Sequence, residues 1–218
     1  TLTSAAGLTA LKTVAVTGTA GLVANVAGLS TVTSVSTAGT TGASSITLDA
    51  TAATFTGGAG NDTVTIAAAP TKAISGGTGT DTLVVNIAGG LNASANANIS
   101  GFEVLGLGAL ANGTFDATGF TRLSIANAVA GANTFTHVAA GAGLTITAAP
   151  GAGTTVTLAD ATGTSDSFAV TLSSTGALAA GSITLANIEN VTVNAVDTNT
   201  TAHVDTMTLV ATIAYADL

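Results

Sequence analysis

A glycine-rich nonapeptide that returns after one fixed step constrains this chain more than any other feature. Residues 57–65 read GGAGNDTVT and residues 76–84 read GGTGTDTLV, with Gly, Gly, Gly, Asp, Thr and an aliphatic residue at the same offsets, so that Gly76 repeats Gly57 and Asp81 repeats Asp62. One comparable step before Gly57, the stretch 39–47 reads GTTGASSIT. It keeps Gly39, Gly42 and Ile46 but carries Ser44 where the aspartates stand. A second signature, a small residue or Asn followed by a large apolar one and then spaced aliphatics, recurs at 7–16 (GLTALKTVAV), 28–35, 101–107 (GFEVLGL), 119–125 (GFTRLSI) and 187–193 (NIENVTV). The step from Gly101 to Gly119 equals that from Gly39 to Gly57. Internal periods of this kind are the mark of repeat architectures.

Between the turns lie short runs such as SSITLDA, TVTIAA, LTITAA and SITLA, which alternate polar and apolar residues with period two. That alternation predicts half-buried strands. Thr, Val, Ile and Gly stand where helix formers would be needed, so the only helical turns expected are in short Ala-rich segments such as 92–98. Strands of about five residues joined by tight turns, at about 18–20 residues per coil, predict an all-β chain built as a parallel β-solenoid (a β-helix or β-roll). Coils stack about 4.8 Å apart, and at about 19 residues each the chain would make about 11 of them. Ile46, Val64 and Leu83 would then form one vertical inward ladder. The expected organisation is a single continuous solenoid over 1–218, as a piece of something longer or a processed product, with 39–84 as its cation-binding coils.

Composition excludes several classes of function. Acidic residues outnumber basic ones 11 to 3, for a net charge of −8. Lys12, Lys72 and Arg122 are far apart in sequence, so the basic patch that nucleic acid requires is missing. No apolar run approaches the length of a membrane span. Disorder is disfavoured by a mean hydropathy of +0.63, only two prolines and the regular alternation. The absence of Cys fits a secreted bacterial protein that does without disulfides.

In the turn pattern, glycines permit positive φ and let the backbone aim carbonyls at one point, while the Asp adds charge. Calcium takes six to eight hard oxygen ligands in flexible geometry. One turn supplies too few, and two turns stacked a coil apart supply enough. Asp62 and Asp81 would lie on one edge of the solenoid and repel each other unless a cation sat between them. Ser44, lacking charge, is expected to end this ladder.

GGAGNDTVT and GGTGTDTLV resemble the RTX nonapeptide repeats, the calcium-binding β-roll repeats of proteins exported by Gram-negative type I secretion. With its Ala/Thr/Gly-rich, Cys-free remainder, the whole chain is similar to bacterial surface-layer (S-layer) proteins of the Caulobacter kind. By position, the resemblance implies that Asp62 and Asp81 ligate Ca2+ through their carboxylates, with carbonyls of Gly57, Ala59, Asn61, Gly77 and Gly79 completing the shell. It implies secretion to the cell surface, self-association into a lattice and contact with cell-surface polysaccharide. The chain departs from the family in having two full repeats only, with AAAPTKAIS at 67–75 where another would fall.

Asp166 and Asp205 precede strand-like runs as Asp62 does, without the glycines. Solvated carboxylates are the expectation there, and further calcium ligands the alternative. Glu103 and Glu189, at matching places in their strands, would cap turns or contact a neighbouring coil. No G-x-S-x-G, G-x-G-x-x-G or H-E-x-x-H occurs, and His137 and His203 stand alone in sequence. His203 with Asp205 would supply half a zinc site at most. The chain is expected to be a structural protein and not an enzyme. The alternatives are an RTX adhesin or ice-binding solenoid, suggested by Thr-x-Thr pairs, and a calcium-dependent polysaccharide lyase or epimerase. The lyase is disfavoured by the scarcity of Arg and Lys. Ice binding is disfavoured because Thr63/Thr65 would be flanked by Ser45/Thr47 and Thr82/Val84, which breaks the ladder.

Overall fold

The computed structural model describes residues 8–199 and 203–212. The opening TLTSAAG, which includes Gly7 of the first apolar signature, lies outside the described residues. In chain order the strands of the N-terminal half are β1 (Thr13–Gly18), β2 (Val23–Asn25), β3 (Ser34–Thr40), β4 (Ser45–Leu48), β5 (Thr54–Thr56), β6 (Thr63–Ile66), β7 (Ile74–Ser75), β8 (Thr82–Val85), β9 (Ala88–Leu91) and β10 (Ile99–Ser100). There follow β11 (Val104–Leu107), β12 (Asn112–Asp116), β13 (Arg122–Ile125), β14 (Asn133–Val138), β15 (Gly143–Ile146), β16 (Thr154–Leu158), β17 (Ser167–Ser174), β18 (Ala179–Ala186), β19 (Asn190–Asp197) and β20 (Thr206–Thr212). One helical turn, α1 (Ala93–Asn96), falls in the Ala-rich segment where the composition predicts one, with the Asn92 side chain accepting from the Ala95 amide as its cap.

The fold is a parallel β-solenoid of about nine turns, and the described residues divide into two compact units. In the first (1–87 and 91–105), one parallel sheet has the order β1-β3-β5-β7-β10 and the other runs β2-β4-β6-β8 toward β11. In the second (88–90 and 106–218), the orders are β11-β13-β15-β17-β19 and β9-β12-β14-β16-β18-β20. Every strand therefore pairs with one a coil away, never with its immediate successor. This is the geometry of coils, and hairpins would give the opposite.

Register follows the alternation. Ile46 pairs with Val64 and Val64 with Leu83, and the three are 1%, 0% and 0% exposed. Burying each such side chain stabilises by about 1.5–3 kcal/mol, and a slip of one residue would turn the whole column outward. All six phenylalanines are buried as well. Phe115 and Phe135 pack in successive coils of the second unit, with ring centroids 6.1 Å apart.

Coil length is the property that varies. Ser45 pairs with Thr63 and Thr63 with Thr82, the short steps made by the tight glycine turns. Elsewhere Val23 pairs with Ser45, Gly143 with Ala169 and Thr154 with Ile183, and each of these coils is longer than the one before it in that order. Only the strands must match from coil to coil. The corners are surface loops, which accept insertions at small cost.

The second signature has a clear local cause. Its leading residue adopts the left-handed conformation at Gly101 (φ 62), Gly119 (φ 89) and Asn187 (φ 56), which Gly and Asn tolerate best. The large apolar residue that follows, Phe102, Phe120 or Ile188, turns into the core and the next strand begins.

Candidate metal centre

The glycine turns stack as the repeat spacing requires, and the glycines are there because the coils touch through backbone. A Cβ on Gly57 would lie 1.6 Å from the Gly76 carbonyl oxygen, and one on Gly60 2.5 Å from the Gly42 carbonyl carbon. Thr78 donates its amide to the Gly58 carbonyl (2.9 Å) and Ala59 to that of Thr40 (3.0 Å). The two full repeats are not conformational copies. Gly77 (φ 103) and Gly79 (φ 133) are left-handed, whereas Gly58 and Gly60 are not.

The acidic side chains form a ladder in which each rung accepts the backbone N–H of its counterpart one coil earlier. Leu22 donates to Ser44 Oγ (3.2 Å), Ser44 to Asp62 Oδ1 (2.7 Å), Asp62 to Asp81 Oδ1 (2.6 Å) and Asp81 to Glu103 Oε2 (2.7 Å). The position thus needs an acceptor rather than a charge. Ser44 continues the hydrogen-bond ladder by accepting the Leu22 amide, while the charged rungs begin only at Asp62. Charge-assisted bonds from amides to carboxylates are about twice as strong as neutral ones, so the Asp and Glu rungs tie their coils together more firmly than the Ser rung does.

The two aspartates differ in how fully they are satisfied. Asp62 is 1% exposed; its Oδ2 accepts from the Gly58 amide (3.0 Å) and the Thr37 hydroxyl (3.3 Å) in addition to the Ser44 bond on Oδ1. Asp81 is 0% exposed and its Oδ2 has no hydrogen-bond partner. Burial raises the Asp81 pKa above the ordinary 3.8; the Asp62 amide opposes this, and the charges of Asp62 and Glu103 raise it further. Native structures seldom leave a buried carboxylate oxygen unpaired.

Among the described residues no three acidic, His or Cys side chains converge in a way that would hold a metal. A hard cation here would therefore take carboxylates in pairs and complete its shell with carbonyls and water, as calcium does. Asp81 Oδ2 fits that requirement. The stacked turns bring Gly57 beside Gly76 and Gly77, and Asn61 beside Gly79, whereas the Ala59 amide faces the Thr40 carbonyl of the coil before and Asn61 Oδ1 already accepts the Thr80 amide (2.9 Å).

In the second unit the same device recurs without the glycines. Asp166 donates its amide to Glu189 Oε2 (2.8 Å), while Asp166 Oδ2 is buried without a partner. Asp205 Oδ1 accepts from the Leu178 amide (3.0 Å), so neither aspartate is simply solvated. Glu103 and Glu189 contact the neighbouring coil, one of their two expected roles. His203 Nδ1 lies 3.2 Å from Asp197 Oδ2 rather than joining Asp205. His137, left-handed at φ 54, places Nδ1 3.4 Å from Asp116 Oδ1. The Glu rungs are visible in the sequence as I-E-N-V and F-E-V-L; what identifies them is their place one coil beyond an Asp, which needs the true coil length.

The outward Thr positions follow the expected break: Ser45, Thr63 and Thr82 align in one column, and Thr47, Thr65 and Val84 in the next. The second unit contains a longer column, Thr114, Thr134, Thr155 and Thr184, in four successive coils. No helix among the described residues is long and apolar enough to cross a membrane. No family model matches the chain, and no curated protein matches it.

Proposed function

We propose that this chain is a calcium-stabilised structural module of the bacterial cell exterior that assembles into a surface layer. The observation that carries the reading is Asp81 Oδ2, a fully buried carboxylate oxygen without a partner in a stack of three acidic rungs. Bound calcium would supply positive charge and open coordination positions there. The chain's own part is to stack Asp62, Asp81 and Glu103 through their amides, to keep water from Asp81 and to hold the turns in contact through glycine. Parallel stacked coils add repeating outward faces, and the charge of −8 leaves room for divalent ions between neighbouring molecules. Secretion of the type I kind rests on the RTX resemblance and contact with cell-surface polysaccharide on the surface-layer resemblance, and both belong to the same reading.

Electron microscopy of the purified chain with millimolar calcium and with EDTA tests it. Ordered arrays should form only with calcium, and Asp81→Ala should behave as the EDTA sample. Arrays that persist in EDTA, or ordered cleavage of a polyuronate, would refute it. The column Thr114–Thr134–Thr155–Thr184 favours a second reading, an ice-binding or adhesive solenoid face, and thermal hysteresis in a freezing assay would establish that instead.

A further inference from the structure

We infer that the cation site lies on the Glu103 side of Asp81, between the turn at 76–81 and the segment 101–103, and that Glu103 is its second carboxylate ligand. The inference rests on the calcium reading above and moves the site one coil away from the Asp62–Asp81 pairing that the repeat suggests.

Three observations place it there. First, the Asp62 side is satisfied: both Asp62 carboxylate oxygens accept hydrogen bonds, three in all, from Ser44, Gly58 and Thr37, and Asp81 Oδ1 accepts the Asp62 amide. The unmet valence belongs to Asp81 Oδ2, in a residue 0% exposed. Second, Gly76 leaves a notch at that oxygen. A Cβ built on Gly76 would lie 2.0 Å from the Gly101 carbonyl oxygen and 2.8 Å from Asp81 Oδ2, so both oxygens border the space that a side chain would fill. A Cβ on Gly101 would in turn meet the Gly77 carbonyl oxygen at 3.3 Å and Ser75 Oγ at 3.4 Å. Third, the Glu103 carboxylate is fixed beside this group by the Asp81 amide (2.7 Å), close enough for the two charges to act on one another. The Asp81 and Glu103 carboxylates, the Gly101 and Gly77 carbonyls and the Ser75 hydroxyl all lie along this glycine contact between the two coils, and they are hard oxygens of the kind calcium selects. F-E-V-L, outside the nonapeptide pattern, thus terminates the site that the pattern begins.

The test compares calcium affinity by isothermal titration, with terbium luminescence as a second readout, for the unaltered chain, Glu103→Gln and Asp62→Asn. Both substitutions keep an acceptor oxygen for the rung amide, and circular dichroism in EDTA checks that each variant folds. Glu103→Gln should weaken calcium by about tenfold or more, because ligand charge count sets affinity, and Asp62→Asn by less than about threefold. Equal losses in the two variants, or a loss confined to Asp62→Asn, would overturn the placement while leaving the calcium reading intact. Failure of the unaltered chain to bind calcium or terbium at millimolar concentration would overturn the calcium reading and the placement with it.

Discussion

Replacing Asp62 by Ala separates what the carboxylate does for the backbone from what it does for an ion. The substitution removes the acceptor for the Ser44 amide, the Gly58 amide and the Thr37 hydroxyl, all within buried bonds. A buried donor left without a partner costs about 1–3 kcal/mol, so the two amides alone imply about 2–6 kcal/mol. Losing the charge relieves its repulsion with Asp81, which places the net loss toward the lower half of that range, about 2–4 kcal/mol. Against the roughly 5–15 kcal/mol typical of a domain, that is a large fraction. The chain has no Trp, so urea unfolding should be followed by far-ultraviolet circular dichroism. Hydrogen exchange of peptides covering 40–66 would then localise the loss to the first unit. Both measurements belong in EDTA, where no ion contributes. A loss below about 0.5 kcal/mol, within the range of ordinary surface substitutions, would refute the claim that the acidic rungs act as amide acceptors.

Other consequences are independent of the ladder's charge. Gly57→Ala places a methyl 1.6 Å from the Gly76 carbonyl oxygen and should cost at least the roughly 1–3 kcal/mol of overpacking; Gly176→Ala, with nothing within 4 Å, should be near neutral in the same melts. Burial would raise the Asp116 pKa, but the Thr118 hydroxyl and amide and His137 hold it below 3.8. Its stabilisation is therefore present above that value and lost as pH falls through the lower folded one; urea melts at falling pH should show this slope, and Asp116→Asn should remove it. Thr154 Oγ1 is buried without a partner in the second unit, so Thr154→Val should leave stability unchanged or raised. A loss above about 1 kcal/mol there would mean that the hydroxyl has a partner such as a bound water.

The fold was legible where local chemistry and the global period agree. The glycines mark corners, the Thr-Val-Thr alternation sets which residues face in, and together they gave the Ile46–Val64–Leu83 column in its true register. The short coil of the glycine turns did not extrapolate, because corners such as the one containing α1 (Ala93–Asn96) insert residues without disturbing strand pairing. Stacking across these longer coils is what joins Asp166 to Glu189, and no constant step finds that pair. The site was legible as a stack of Asp62 on Asp81, since both follow three glycines at one offset. Its chemistry was less so. Ser44 ends the run of charge but not the run of amide acceptors, because the coil-to-coil geometry asks only for an oxygen facing an amide. Thr37, which donates to Asp62 from the preceding coil, has no local signal in the sequence. The division into two units left none either, since the Ala/Thr/Gly composition is the same on both sides.

The most direct test of calcium at the acidic ladder is the melting temperature of the chain as calcium is titrated from EDTA into the millimolar range. An ion that binds the folded state alone stabilises by RT ln(1 + [L]/Kd), about 2.7 kcal/mol at a hundredfold excess over Kd. The first unit should therefore melt progressively higher with added calcium, and Asp81→Ala should abolish the rise. A melting temperature that stays constant from EDTA through millimolar calcium, with Asp81→Ala unfolding alongside the unaltered chain, would contradict the account.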